Sequence, residues 1–564
     1  MGSFADCEYV TTGARPHAAH LEETIAILEN RIRELENPGN TAGSVILSSP
    51  YRLEPGPGSS ATSSSSVAGG RRHHTVYREP RQLNNMDSAT SPGTLVRRLT
   101  RGNTSYKEEP APAVKAALLH TFVHHASEIG FFLDAKRFVM VATVSDTQAQ
   151  ESELLPALIS AACLWGLRLS RTGVSNSPEG THQQSVLRQA EEGYLNQALD
   201  KLAGMVTSPT ISPHVRVLHT IQAEILLANY FFDSGRAQEG RHHTSTAVAL
   251  ALGAGLNRGN GGVAPPTALP PTMDSIETRE RIGAFWAVLM LDNLWSAALE
   301  TPPNLQLRAS TGQGVEVDIP WPSEDGVEVE LSSRSVITEF LNGTETGNRG
   351  RSLTALLIKA SILVERAHYL GRRYRPDFNA TQRDSFQANQ AALGGVMRRF
   401  ISSIPNPDAS TMPDTTLRTL STIHTISQFA KIKLFSLGRY GEELGSPNSR
   451  NIAVETAIMI SRTAPATDES NVTFVNPMLG VRICHTYLNL TDELEQAAWT
   501  TAASVLLDEA TRLRRAGRRT PVVNLAQAVQ PLVSSCARLA ADATVARLEY
   551  IRATLAELTG GVSA

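Results

Sequence analysis

An all-α fold is what this 564-residue sequence predicts, and three observations carry it. From Val114 onward apolar residues recur at helical spacing, Ala and Leu are abundant while alternating β-branched runs are scarce, and Gly or Pro separates most of the periodic segments. A hydrophobic content of 41% over this length allows a sizeable buried core. The net charge of -3 gives no global attraction to nucleic acid or acidic membranes, so any such binding has to come from a local patch. Cys7, Cys163, Cys484 and Cys536 are too few and too scattered for a disulfide framework, which points to a reducing compartment. The first residues carry Asp6, Glu8, Glu22 and Glu23 and read as no secretory signal, and apolar runs such as Ala355 to Val364 are broken by Lys359 well short of a membrane span.

In chain order, the first predicted element is a short coiled coil. Leu21, Ile25, Leu28, Ile32 and Leu35 are spaced four, three, four, three, with Glu22, Glu29 and Glu36 at e positions and Arg31 at a g position. Arg31 of one chain would meet Glu36 of another in a parallel pair, and Pro38 and Gly39 end the segment. Residues 21–37 are thus expected to dimerise; an amphipathic helix docked on its own chain is the other reading. Residues 38–113 are rich in Ser, Gly, Pro and Asn and cannot bury enough surface to offset their ordering entropy, so a disordered linker is expected. Its arginines, Arg71, Arg72, Arg78, Arg81, Arg97, Arg98 and Arg101, suit either import and phosphate contact or simple solubilisation.

Residues 114–564 read as one large helical body. Helices are predicted over 116–132, 151–169, 185–205, 214–232, 241–256, 353–373, 384–404, 415–440, 450–463, 476–487, 494–516 and 522–558. The organising helix starts at Asp274, where Asp274 with Glu277 forms a capping-box pattern; Ile282, Phe285, Trp286, Leu289, Met290 and Leu294 then follow at helical spacing. It is expected to stop near Thr301, before Pro302 and Pro303, and its wide apolar arc predicts several packing neighbours. Asp292 within that arc is expected to be a paired structural aspartate. Residues 314–319 alternate like a strand and are expected to form a loop or a short hairpin.

No catalytic constellation emerges, so an enzyme is not predicted. The glycine run Gly253, Gly255, Gly259, Gly261, Gly262 follows a helix, not a strand, and reads as a helix terminator. His73-His74, His124-His125 and His242-His243 are adjacent pairs that diverge on a helix, and His120 with His124 lacks the glutamate of a zinc protease.

Several blocks together resemble a known family. Cys7 in DCEYV followed by LEETIAILENRIRELENP resembles the junction of cluster and dimerising helix in fungal binuclear zinc-cluster transcription factors. EIGFFLDAKRF, LLPALISAACLWGLRLS, the block from Ile221 to Leu256, the Asp274 helix with its tail ETPPNL, DIPWP and VNPMLG resemble the family's helical regulatory region, in the form common in basidiomycetes. The resemblance implies a nuclear regulator of RNA polymerase II transcription, with DNA bound through a zinc cluster, homo- or heterodimers formed through the coiled coil, coregulators as partners and a small-molecule effector sensed by the helical body. It also implies that residues 1–20 are the remnant end of the cluster and its link, with Cys7 as a zinc ligand. The family's cluster takes six cysteines, of which at most Cys7 is present, and one thiolate cannot close a tetrahedral site. Zinc is therefore expected in the full-length family member and not in this chain, with a missing start favoured over a true loss of the DNA reader. The alternative function is a helical binding or scaffold protein without DNA binding, acting by dimerisation or effector binding.

Overall fold

The computed structural model describes Leu95 and residues 112–143, 156–171, 178–205, 212–259, 265, 267–307, 314–323, 335–345, 350–375, 377–407, 412–436, 447–463, 498–539 and 546–560. The chain divides into two units, Met1–Arg81 and Gln82–Ala564, and every described residue belongs to the second. Among the described residues the α-helices are α1 (Pro112–His125), α2 (Ala135–Thr143), α3 (Pro156–Arg171), α4 (Pro178–Met205), α5 (Pro213–Asp233), α6 (Ala237–Gly253), α7 (Ser275–Ala298), α8 (Val336–Asn342), α9 (Leu353–Arg373), α10 (Ala380–Ser403), α11 (Asp414–Phe435), α12 (Pro447–Thr463), α13 (Ala498–Arg515), α14 (Arg519–Leu539) and α15 (Ala546–Gly560). No strand occurs among these residues, and the fold is all-α. Five of the helices open on proline, whose fixed φ suits the first helical position and whose missing N–H costs nothing there.

Neighbours in sequence pack as neighbours in space: α3 lies against α1 and α4, α5 against α6, and α11 through α14 against one another in order. The α1–α3 crossing is close because Gly166 has no side chain; a Cβ there would stand 2.3 Å from the Leu118 carbonyl oxygen. Buried charges fasten α3, α4 and α5 together. Arg168 donates from Nε to Asp233 at 2.8 Å and from Nη1 to Glu191 at 2.9 Å, and the Tyr230 hydroxyl donates to the same Glu191 oxygen at 2.9 Å. Burial works against the Arg168 charge, but Asp233 and Glu191 outweigh it, so the guanidinium is held more firmly protonated than usual.

Helix α7 packs against α5, α6 and α9, as its wide apolar arc predicts. Trp295 stacks on Phe232 with ring centroids 4.0 Å apart, and Trp286 stacks on Trp321 at 4.7 Å while donating to the Pro320 carbonyl at 2.8 Å. Asp292, 1% exposed, accepts from the backbone N–H groups of Asn304 (3.1 Å) and Leu305 (2.7 Å) and from Asn304 Nδ2 (2.8 Å). The aspartate is thus structural, and its partners are the N–H groups of the tail that follows the helix. Glu300, the non-glycine residue with positive φ (52°) among those described, turns that tail back. Its carboxylate pairs with Lys433 of α11 and with His368 of α9, the latter at 3.2 Å. Burial alone would raise the Glu300 carboxyl, but the bond from His368 and the charge of Lys433 bring it down to about 2.

Several local expectations are corrected. The helix predicted over 116–132 stops at His125, continues for one 3-10 turn over Ala126–Ile129, and is closed by Gly130 at φ 84°. The stretch 522–558 holds parts of two helices, α14 and α15. Helix α7 ends at Ala298, short of Thr301. Its capping box does not close: Asp274 accepts from Ile276 N at 2.9 Å, while Glu277 is drawn away to Arg281 and Thr272. Residues 314–319 take the loop alternative and not the hairpin: Asp318 N donates to Asn257 O, and Val315 N to Gln306 O, so the segment docks on two separate stretches. Leu95, within the expected linker, is helical and 1% exposed in the core. The rest of the linker other than residues 112–113, the coiled-coil segment and the helix predicted over 476–487 lie outside the described residues.

Candidate functional site

A cleft forms where the sequence block Glu128–Phe138 leaves α1. Gly130 supplies the left-handed turn, and a Cβ there would also press on Ile225 at 3.1 Å. Two amides of α5 clamp the turn. Gln222, fully buried, accepts from Phe132 N at 2.7 Å and donates to Gly130 O at 3.2 Å, while Asn229 Nδ2 donates to Ile129 O at 3.0 Å. Helix α7 holds the other side: Glu280 accepts from Asp134 N at 3.0 Å, and Gly283 leaves room for Phe132, whose Cβ would lie 3.2 Å from an added one. Asp134 in turn caps α2 by accepting from Arg137 N at 2.8 Å.

This clamped loop forms one wall of a cavity of about 510 Å³; α7, the first turns of α9 and the first turn and a half of α11 form the others. Phe131 and Phe132, Ala287 and Met290, and Leu357 and Ile358 make its surface largely apolar, and Thr415, Thr416 and Thr419 set hydroxyls along the α11 side. A second cavity of about 30 Å³ shares Gly130, Ala287, Met290 and Leu357 with the cleft and continues to Trp295 and Ile426 in the core. Asn229 is spent on both sides there, donating to Ile129 O and accepting from Trp295 Nε1 at 3.2 Å, so the inner end presents satisfied, apolar surface.

Glu128 and Glu280 beside the cleft are occupied in holding it. Burial pushes the Glu128 carboxyl up, but the neighbouring His125 and the hydrogen bonds from Arg418, at 2.9 and 3.0 Å, bring it below the usual range. Burial pushes the Glu280 carboxyl upward, against the bond from Asp134 N. An apolar concavity of this size with a few polar groups at its edge is suited to enclose a small molecule of mostly apolar surface.

The candidate residues named from sequence fall elsewhere. Cys7, Leu21, Ile25, Leu28, Ile32 and Leu35 lie outside the described residues, so the expected zinc ligand and dimer seam have no geometry here. Of the other cysteines, Cys163 and Cys536 are buried free thiols in α3 and α14. Those residues do not fit the thiolate set of a zinc cluster, and no group of three or more metal-ligating side chains occurs among the described residues. His243, one of the adjacent histidines, binds Glu224 at 2.6 Å and stacks on Phe231. Sequence reasoning missed the cleft residues as a site, although GFFLD at 130–134 lies in a block it singled out. No helix among the described residues is long and apolar enough to cross a membrane.

Compared with known proteins, residues 122–403, half of the chain, match the family model of the fungal specific transcription factor domain. All the walls of the cleft except the α11 threonines come from within those residues. No curated protein matches the chain.

Proposed function

Because this chain belongs to the fungal specific transcription factor domain family, we propose that it regulates RNA polymerase II transcription in the nucleus, its helical body taking a small, largely apolar effector into the cleft beside Phe131 and Phe132. The observation that supports the effector is the 510 Å³ cavity itself, built around a loop clamped by Gln222, Asn229 and Glu280 within the matched region. A site of largely apolar surface favours ligands by apolar contact and selects them by shape. Pairing through Leu21, Ile25, Leu28, Ile32 and Leu35, DNA contact through a zinc cluster ending at Cys7, and recruitment of coregulators complete the proposal.

Thermal-shift screening of the full chain against small apolar compounds tests the effector, with at least one compound expected to raise the melting point in a saturable way. A library that moves nothing removes the effector from the proposal. Light scattering during size exclusion tests the pairing: wild type should run at twice the mass of Leu28→Pro, and equal masses exclude it.

A further inference from the structure

Where α13 meets α14, five of the eight residues 512–519 are arginine, in a chain whose net charge is -3. Helix α13 ends in a Schellman turn, with Gly517 at φ 74°, Arg518 N donating to Leu513 O and Gly517 N to Arg514 O, both at 2.9 Å. Nothing stands within 4 Å of where a Gly517 Cβ would be, so the turn is open to solvent. Arg512, Arg514, Arg515 and Arg518 are all exposed. Two have work inside the protein: Arg512 pairs with Glu509, and Arg514 donates to the Glu557 carbonyl at 2.8 Å. Among the described residues, the side chains of Arg515 and Arg518 have no such partner. Cations at the end of α13 suit its dipole, but Arg518 precedes the positive end of α14, whose first turn holds no acidic residue. Folding therefore gives no reason for Arg518.

We propose that this junction is a contact surface for the phosphate backbone of duplex DNA, separate from the cleft and outside residues 122–403. Three features choose that partner. The exposed large hydrophobic residues among those described are Met140, Met273, Tyr369 and Met459, none of them at the junction, so it lacks the apolar or aromatic anchors that carry most protein interfaces. Among the described residues it has no exposed ring on which a single strand would stack. Beside the Glu509 carboxylate, which Arg512 engages, and the exposed Glu557, it offers guanidinium groups, whose forked donors match phosphate oxygens and carry position without sequence preference.

The test is fluorescence anisotropy of the full chain with a labelled mixed-sequence duplex over a range of NaCl concentrations, comparing wild type with the double variant R515Q/R518Q. Loss of two phosphate contacts should make the slope of log affinity against log salt shallower by about 1.8, at about 0.9 per contact. The variant R515K/R518K keeps both charges and should keep the wild-type slope. An unchanged slope in the glutamine variant overturns the proposal. So does a slope lost equally in the lysine variant, or a loss confined to binding of phosphatidylserine vesicles with duplex affinity intact. Both positions are exposed, and equal melting points of the three proteins establish that the comparison is between folded chains.

Discussion

At Asp292 burial works against the carboxylate charge, and the bonds from Leu305 and Asn304 offset it only in part, leaving its proton affinity above the ordinary range. The aspartate is kept because three donors converge on it and fold the tail back under α7. Asp292→Ala strands buried N–H groups at Asn304 and Leu305, and we expect a loss of about 3 kcal/mol, read from urea unfolding; a loss below about 1 kcal/mol would mean the tail finds other acceptors. His219 illustrates the opposite sign. Burial, with the nearby charges of Arg137 and His214, lowers it to about 3 from an ordinary 6.5. The unfolded chain therefore takes up a proton that the folded chain refuses, so the stability is whole above pH 6.5 and falls as the pH drops towards 3. Between pH 7 and 5 this one group should remove about 2 kcal/mol, and His219→Gln should lack that part of the pH dependence when unfolding is measured at both values.

Elements are where the sequence was most and least readable. Helix α9 was legible from end to end: residues 353–373 hold an unbroken helical period, and Ser352 caps it by accepting from Ala355 N at 3.1 Å. The end of α1 was not legible, because apolar residues continue at helical spacing through Phe132 while the decision to stop is made by Gly130 and by amides on α5, about ninety to one hundred residues away. The cleft was hidden for the same reason, since its walls come from segments between Ser127 and Thr419 that only tertiary packing brings together. Glycines at helix crossings carry a comparable hidden signal. At Gly166 an added Cβ meets backbone, which cannot swing aside, so Gly166→Ala should cost about 2 kcal/mol or more although alanine favours helices. At Gly283 the obstacle is the Phe132 side chain at 3.2 Å, so Gly283→Ala should cost less and act on the cleft wall instead. A ranking of melting points with Gly283→Ala below Gly166→Ala would contradict this reading of the two contacts.

For the whole molecule, the cleft matters because a ligand there would touch the clamped loop, α7, α9 and α11 at once, so its binding energy would be felt by elements whose own contacts are spread across the body. Ligand at one hundred times its dissociation constant adds about 2.7 kcal/mol to the folded state, which for a chain of this size corresponds to a melting shift on the order of a few degrees. Ala287 is the place to block this. It lines both the cleft and the inner cavity, and it is only partly buried, so a larger side chain can enter existing space instead of displacing packed core. Ala287→Trp should therefore leave the ligand-free melting point within about two degrees of wild type, because the indole fills a void and recovers contacts that the void lacks. The same variant should abolish the ligand-induced shift. A full shift in Ala287→Trp would place the ligand elsewhere on the protein, and a large drop in its ligand-free melting point would show that the space beside Ala287 cannot admit an indole.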